Sequence, residues 1–96
     1  MNNKKIGVSE EFLSLLEDEI KISTSFALYL FETLNLKYIA KILNKPESTT
    51  LRHLKVLLRE DVIEIDQSKS AQSWGKFYQL TESFRTKLEQ ILSVKY

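Results

Sequence analysis

Cysteine is absent from the 96 residues of the chain. Its absence excludes disulfide bonds, thiolate metal sites and a cysteine nucleophile. No apolar run approaches the length of a membrane span. The N-terminal stretch also lacks the apolar region of a secretory signal peptide. We therefore expect a cytoplasmic protein that does not act at a membrane.

Glycine and histidine are scarce, with two glycines and one histidine in the chain. Two glycines do not suggest a phosphate-cradling loop, and His53 without cysteine or a carboxylate pair does not make a metal site. His53 lies beside an apolar helix face and is predicted to be a partly buried packing residue. The contiguous acids Glu17, Asp18 and Glu19 splay around a helix instead of converging. We expect no enzymatic activity, no metal and no cofactor.

Charge is distributed unevenly along a chain whose formal net charge is only +1. Residues 1–36 carry three bases against six acids, and residues 60–96 carry five bases against six acids. Residues 37–59, in contrast, carry six bases against Glu47 alone. A basic segment in a near-neutral protein is typical of phosphate binding, although a solvated helix face gives the same pattern.

Hydrophobic periodicity predicts five helices and two strands in the order α-α-α-α-β-β-α. The helices are predicted at about 9–20, 22–34, 36–43, 47–60 and 81–93, and the strands at 62–66 and 76–80. The fold class is thus mainly α with a small β-hairpin (α+β). With 43% hydrophobic and 28% charged residues, the chain suits one globular domain over residues 1–96.

Capping residues mark several of these boundaries. Asn35 is predicted to cap the helix that follows it, and Thr81 to cap the last helix. Asn44 tolerates the left-handed conformation that often ends a helix, and Pro46 suits the start of the next one. The second predicted helix begins less clearly, among Ser23, Thr24 and Ser25. Its proposed apolar face comprises Phe26, Ala27, Leu30 and Leu34.

The helix predicted at 47–60 has an apolar face and a basic, hydroxyl-bearing face. The apolar face is centred on Leu54 and includes Thr50, Leu51, Leu57 and Leu58. The outer half carries Ser48, Thr49, Arg52, Lys55 and Arg59. Val56 is an apolar residue predicted to point outward. Two short helices joined by a tight turn, the second with a basic outer face, are typical of a helix-turn-helix.

A helix-turn-helix followed by a hairpin is the winged-helix layout, and the chain resembles the ArsR-type winged helix-turn-helix regulators over about residues 15–90. The segment "STTLRHLKVLLREDVIEI" is similar to the recognition helix and first wing strand of that family. "KFYQLTE" is similar to the second wing strand and the start of the C-terminal helix. Asp61 stands where the family usually has glycine, the wing tip is longer than usual, and the thiolates that sense metals in many members are missing.

The resemblance implies a transcriptional regulator that binds double-stranded DNA in the prokaryotic nucleoid. Arg52 and Lys55 are the first candidates for contacts in the major groove, because both side chains can reach guanine. Ser48 and Thr49 can hold a phosphate at the helix N-terminus, although simple capping explains Ser48 equally well. The full predicted set for DNA is Ser48, Thr49, Arg52, Lys55, Arg59, Lys37, Lys41, Lys69 and Lys76. Trp74 in the wing has three open roles: insertion at DNA, packing on a partner, or folding back onto the hairpin. Packing is the favoured interpretation.

The first, second and last predicted helices carry more apolar surface than one small core needs. The residues predicted to face a partner are Phe12, Leu16, Phe31, Leu88 and Ile91. Because ArsR-type proteins commonly pair through their terminal helices, the resemblance implies a symmetric homodimer. Three alternatives stay open: a monomer that uses these residues in its core, a winged-helix protein–protein interaction module without DNA binding, and a small ligand-sensing protein.

Overall fold

The computed structural model describes residues 18–72 and 75–93. Within them the chain is mainly helical, with five helices and one three-stranded antiparallel sheet. The elements in chain order are α1 (Glu19–Phe31), β1 (Leu34–Asn35), α2 (Leu36–Leu43), α3 (Glu47–Arg59), β2 (Ile63–Ile65), α4 (Gln67–Gln72), β3 (Phe77–Leu80) and α5 (Glu82–Leu92). No helix in these two stretches is long and apolar enough to cross a membrane.

Helix α1 begins earlier than predicted. The side chain of Asp18 accepts a hydrogen bond from the backbone N–H of Lys21 at 3.0 Å, so Asp18 caps the helix and the predicted start among Ser23, Thr24 and Ser25 is wrong. Residues 19 and 20 therefore belong to α1 and not to the end of a preceding helix. The remainder of the helix predicted at 9–20 lies outside the described residues.

Helix α1 also ends earlier than predicted and buries a different face. Glu32, with a φ of 70°, follows its last residue. Leu34 then forms strand β1, although it was predicted to be helical. Ala27 and Leu28 are buried, whereas Leu30 is 71% exposed, so the predicted apolar face is wrong at Leu30. The helix is apolar nearly all round, and such a sequence does not define one buried face.

The three strands form an antiparallel sheet in the order β1-β3-β2. In the hairpin, Ile63 lies opposite Leu80 and Ile65 opposite Tyr78, which confirms the two predicted strands with slightly shorter bounds. On the other side of β3, Leu34 lies opposite Tyr78. Tyr78 is therefore at the centre of the sheet, paired on both sides.

The connection between β2 and β3 contains a short helix, α4, where the sequence predicted only a long polar tip of the hairpin. The side chain of Asp66 accepts from the backbone N–H of Lys69 at 3.1 Å and so caps α4. The hydroxyl of Ser70 accepts from the backbone N–H of Phe77 at 2.9 Å and ties α4 to β3. Trp74 lies outside the described residues.

The turn between α2 and α3 follows the prediction closely. Asn35 caps α2 by accepting from the backbone N–H of Tyr38 at 3.0 Å. Asn44 adopts the left-handed conformation with a φ of 58°, and Pro46 occupies the N-cap position of α3. Asp61 is likewise left-handed, with a φ of 63°, as expected for a residue standing in place of glycine.

The core lies between the sheet and helices α1, α2, α3 and α5. Its buried members are Leu28, Ile39, Leu54, Leu57, Val62, Ile63, Tyr78, Leu80 and Leu88. Helix α3 contributes Leu54 and Leu57, and Thr50 on the same face is also buried. Because this face is used by the core, the opposite face of α3 is left to solvent.

Candidate nucleic-acid interface

The outer face of α3 carries a row of polar and basic side chains. Ser48, Arg52, Lys55 and Arg59 are all exposed, and they follow one another at spacings of four, three and four residues. This spacing places them on one side of the helix over a length of about 16 Å. The predicted division of α3 into an apolar and a basic face is confirmed by the burial of each residue, with Thr49 half-buried at the edge.

The N-terminus of α3 has no side-chain cap. Pro46 at the N-cap position offers no side-chain acceptor, and Ser48 lies within the helix, so the capping role considered for Ser48 is wrong. The hydroxyl of Thr50 donates to the carbonyl oxygen of Pro46 at 2.9 Å. In a helix without a side-chain cap, the N–H groups of the first turn can donate hydrogen bonds to a bound anion. Ser48 and Thr49 lie in that turn.

Lysines of α2 and of the turn lie close to the start of α3. Lys37 and Lys41 are exposed, opposite the buried residues Ile39 and Ala40. They share a shallow depression with the turn and the first residue of α3, lined by Lys37, Ala40, Lys41, Asn44, Lys45, Pro46 and Glu47. Lys45 was missed as a site residue by the sequence reasoning. Lys45 could have been predicted from its place in the basic segment, next to the predicted turn.

A second groove brings together three lysines from distant parts of the sequence. It is lined by Asn35, Leu36, Lys37, Leu51, Lys55, Gly75, Lys76 and Tyr78. Lys37 comes from α2, Lys55 from α3, and Lys76 from the residue preceding β3. No acidic residue is among these lining residues, so the groove is strongly cationic. We refer to it below as the three-lysine groove.

The two wing lysines have different surroundings. Lys76 lines the three-lysine groove, whereas Lys69 on α4 does not. The ammonium nitrogen of Lys69 lies 5.5 Å from the centroid of the Phe77 ring, in a cation–π contact. The two lysines could not be distinguished from the sequence alone, because the helical conformation of α4 was not predicted.

Acidic residues lie near both ends of α3. Glu47 is exposed in the first turn, where its charge is favourable to the helix dipole. Glu60 follows the last turn, and its carboxylate lies 3.1 Å from the ammonium group of Lys21. This ion pair offsets the acidic charge nearest to Arg59 in sequence.

Two further residues of α3 were singled out from the sequence. His53 is half-buried, in agreement with a packing role. Val56 is exposed, so the outward position predicted for it is confirmed.

Among the residues that the structure describes, no cluster of histidine, aspartate or glutamate has the arrangement of a metal site.

The predicted partner surface is only partly available at the surface of this chain. Phe31 is 60% exposed and Ile91 is half-buried, but Leu88 is 1% exposed and packs in the core. Leu88 therefore offers no surface to a partner, because its side chain already completes the core. Leu30 and Leu92 are exposed apolar residues that the sequence reasoning did not include. Phe12 and Leu16 lie outside the described residues.

No protein-family model matches the chain, and a search of curated proteins found no match.

Proposed function

We propose that the chain is a sequence-specific, double-stranded DNA-binding transcriptional regulator of the winged helix-turn-helix type, similar to the ArsR regulators. The observation that carries the proposal is the outer face of α3, where Arg52, Lys55 and Arg59 are exposed in one row. None of these three bases forms an ion pair with a residue in the described part of the chain. A row of unpaired bases on one helix is suited to the charge of a DNA duplex.

The fold supports the same proposal. A winged-helix domain requires two helices joined by a tight turn, followed by a hairpin, and α2, α3 and the strands β2 and β3 are compatible with this plan. The sheet order β1-β3-β2 places the hairpin beside the start of α2, so that Lys76 and Lys37 line the same groove. A helix and a wing on one side of the molecule can contact one duplex together.

In this proposal α3 enters the major groove, which is about 12 Å wide and admits an α-helix. Arg52, in the N-terminal half of the exposed row, reads a base, because its guanidinium group can bond the O6 and N7 atoms of guanine together. Lys55 and Arg59 bind a base or the adjacent phosphates. The uncapped first turn with Ser48 and Thr49 holds a phosphate.

Lys37 and Lys41 on α2, and Lys76 and Lys69 in the wing, hold the DNA backbone without reading sequence. The first helix of a helix-turn-helix crosses the DNA backbone. Lys37 and Lys41 are exposed on α2, the corresponding helix in this proposal. Lys45 joins this set because it lines the same depression as Lys37 and Lys41. These contacts supply affinity that depends on salt concentration.

We further propose that the regulator acts as a homodimer. Leu30 and Phe31 at the end of α1 and Leu92 at the end of α5 are exposed apolar residues, and burying them against a second copy is favourable. A twofold axis through such an interface lets two α3 helices reach successive major grooves, about 34–36 Å apart.

A second candidate function is a protein–protein interaction module without DNA binding. It is favoured by Tyr38 and Ile42, which are one turn apart on α2 and are 52% and 46% exposed. Two large apolar side chains on the helix that would face the DNA backbone are better suited to a protein partner than to phosphates. The two functions differ in whether the isolated chain binds duplex DNA.

Selection of bound duplexes from a random-sequence pool tests the proposed function. The chain is expected to enrich one short sequence, and an Arg52→Lys variant is expected to enrich a less defined one, because lysine keeps the charge and loses the planar fork of arginine. Lys87→Arg on α5 is a matched control for the exchange of one exposed base for another. A pool that stays random with the wild-type chain would favour the interaction module.

A further inference from the structure

The three-lysine groove is lined by Tyr78 in addition to its three lysines. Tyr78 is 4% exposed and lies in the middle of the sheet, yet it lines the groove. Its hydroxyl has no hydrogen-bond partner among the residues that the structure describes. The hydroxyl is not among the fully enclosed side-chain oxygens that lack a partner, which belong to Thr24, Ser25 and Thr33. A hydroxyl with an unused donor at a groove can hydrogen-bond a ligand that binds there.

The protonation state of Tyr78 makes it a hydrogen-bond donor. Burial raises the pKa of Tyr78 above the ordinary value of 10.0 for a tyrosine. The hydroxyl therefore keeps its proton throughout the physiological pH range. In a groove that is also lined by Lys37, Lys55 and Lys76, a neutral O–H group can donate a hydrogen bond to an anion without adding negative charge.

The first turn of α2 adds backbone donors to the same groove. The groove is lined by Asn35, Leu36 and Lys37, which are the N-cap and the first two residues of α2. The side chain of Asn35 satisfies the N–H of Tyr38, but the N–H groups of Leu36 and Lys37 have no acceptor within the helix. The positive end of the helix dipole also favours an anion here.

We propose that the three-lysine groove binds a single phosphate group, held by the hydroxyl of Tyr78 and the ammonium groups of Lys37, Lys55 and Lys76. A phosphate has several strong acceptor oxygens and up to two negative charges, which matches one hydroxyl and three cations better than a carboxylate does. The phosphate belongs either to the DNA backbone, in which case the inference rests on the proposed function, or to a free phosphorylated ligand.

The groove would give the helix-turn-helix and the wing a common ligand. Lys55 belongs to the proposed recognition helix, Lys37 to the helix before it, and Lys76 to the wing. A phosphate bound by all three would fix the wing relative to α3. If the phosphate is part of DNA, Tyr78 thereby positions the recognition helix along the duplex without contacting a base.

Free phosphate is tested by titrating inorganic phosphate into the ¹⁵N-labelled chain and following the amide signals of Gly75 and Lys76 by NMR. The wild-type chain is compared with Tyr78→Phe, which keeps the buried ring and removes only the hydroxyl. Tyr29→Phe is the matched control, because Tyr29 is half-buried on α1 and does not line the groove. Tyr78→Phe is expected to weaken phosphate binding about tenfold, the effect of one hydrogen bond to a charged group.

Whether the phosphate belongs to DNA is tested by measuring how tightly the same variants bind duplex DNA at low salt concentration. If the phosphate is part of the duplex, Tyr78→Phe weakens binding about tenfold on a selected sequence and on a scrambled one alike, because a backbone contact does not depend on sequence. Arg52→Ala, in contrast, is expected to weaken binding mainly on the selected sequence. The two variants therefore separate the groove from the base-reading function.

Three outcomes are possible. Weakened duplex binding identifies the DNA backbone as the source, and weakened binding of inorganic phosphate alone identifies a free phosphorylated ligand. If Tyr78→Phe weakens neither duplex binding nor phosphate binding, the proposed phosphate site is overturned. The proposed regulatory function would still stand if the wild-type chain bound DNA and this binding depended on Arg52. Should Tyr78→Phe fail to fold, the exposed Lys76→Gln replaces it, with Lys87→Gln as the charge-matched control and the same three outcomes.

Discussion

The hydroxyl of Thr81 lies 2.8 Å from the carbonyl oxygen of Asp61, the left-handed residue between α3 and β2. The same hydroxyl oxygen accepts from the backbone N–H of Phe84 at 3.3 Å and so caps α5. The backbone N–H of Thr81 donates to the carbonyl oxygen of Val62 at 3.0 Å. One buried threonine therefore connects the end of the proposed recognition helix to the sheet and to α5.

Replacing Thr81 by valine is expected to lower the free energy of unfolding by about 1–3 kcal/mol, because the helix cap and a buried hydrogen bond are both lost while the side-chain volume is kept. Thr81→Ser keeps the hydroxyl and is expected to be less destabilising. Urea denaturation of the three proteins measures the difference. A valine variant as stable as the wild type would show that the hydroxyl contributes little.

Asp61 adopts a left-handed conformation that β-branched residues disfavour. Asp61→Val is therefore expected to destabilise the chain by about 1–2 kcal/mol, and Asp61→Gly to preserve its stability. Thermal unfolding followed by circular dichroism compares the variants. If valine and glycine gave the same midpoint, the left-handed conformation of this residue would be in doubt.

The raised pKa of Tyr78 predicts a loss of stability in alkali. Above the ordinary tyrosine pKa of 10.0 the unfolded chain loses a proton that the folded chain still holds, so the free energy of unfolding decreases as the pH rises through the folded pKa. Below this range the stability is fully present. Tyr78→Phe removes this contribution to the pH dependence. Urea midpoints measured between about pH 9 and 11 should fall less steeply for this variant than for the wild type and for the exposed-site control Tyr38→Phe.

Phe31 tests the proposed homodimer. Its side chain is 60% exposed, so Phe31→Asp removes apolar surface from a partner interface with little effect on the core of its own chain. Light scattering coupled to size-exclusion chromatography is expected to give a dimer for the wild type and a monomer for the variant. Tyr38→Asp, an equally drastic change at another exposed aromatic residue, serves as the control. A wild-type chain that elutes as a monomer would contradict the dimer.

Helices and strands with a clear hydrophobic periodicity or a recognisable capping residue were predictable from the sequence. Helix α2 lies between two asparagines, and α3 has an apolar stripe that fixes which side of it faces solvent. Strand β1 was missed because two residues are too short to show alternation. Helix α4 was missed because it has no large apolar side chain and therefore no apolar stripe. The side chains of Asp66 and Ser70 hold it in place instead.

The candidate site was predictable residue by residue, but its assembly was not. Arg52 and Lys55 follow from the phase of α3, and Lys37 and Lys76 from their place in the basic segment and the wing. That Lys37, Lys55 and Lys76 line one groove depends on how the sheet packs against the two helices, which no local spacing encodes. Tyr78 was not predicted as a site residue. The alternation of side chains along β3 places it on the core side of the sheet, and this pattern does not show that it also lines a groove.

The most direct measurement is fluorescence anisotropy of a labelled duplex with the wild-type chain, Arg52→Ala and Arg52→Lys across a series of salt concentrations. We expect the logarithm of the wild-type binding constant to fall linearly with the logarithm of salt concentration. Arg52→Ala should lose about 1–3 kcal/mol on a selected sequence, and Arg52→Lys should keep the salt dependence while losing much of the preference for that sequence. Absence of wild-type binding at low salt, or binding that neither variant changes, would contradict DNA recognition by α3.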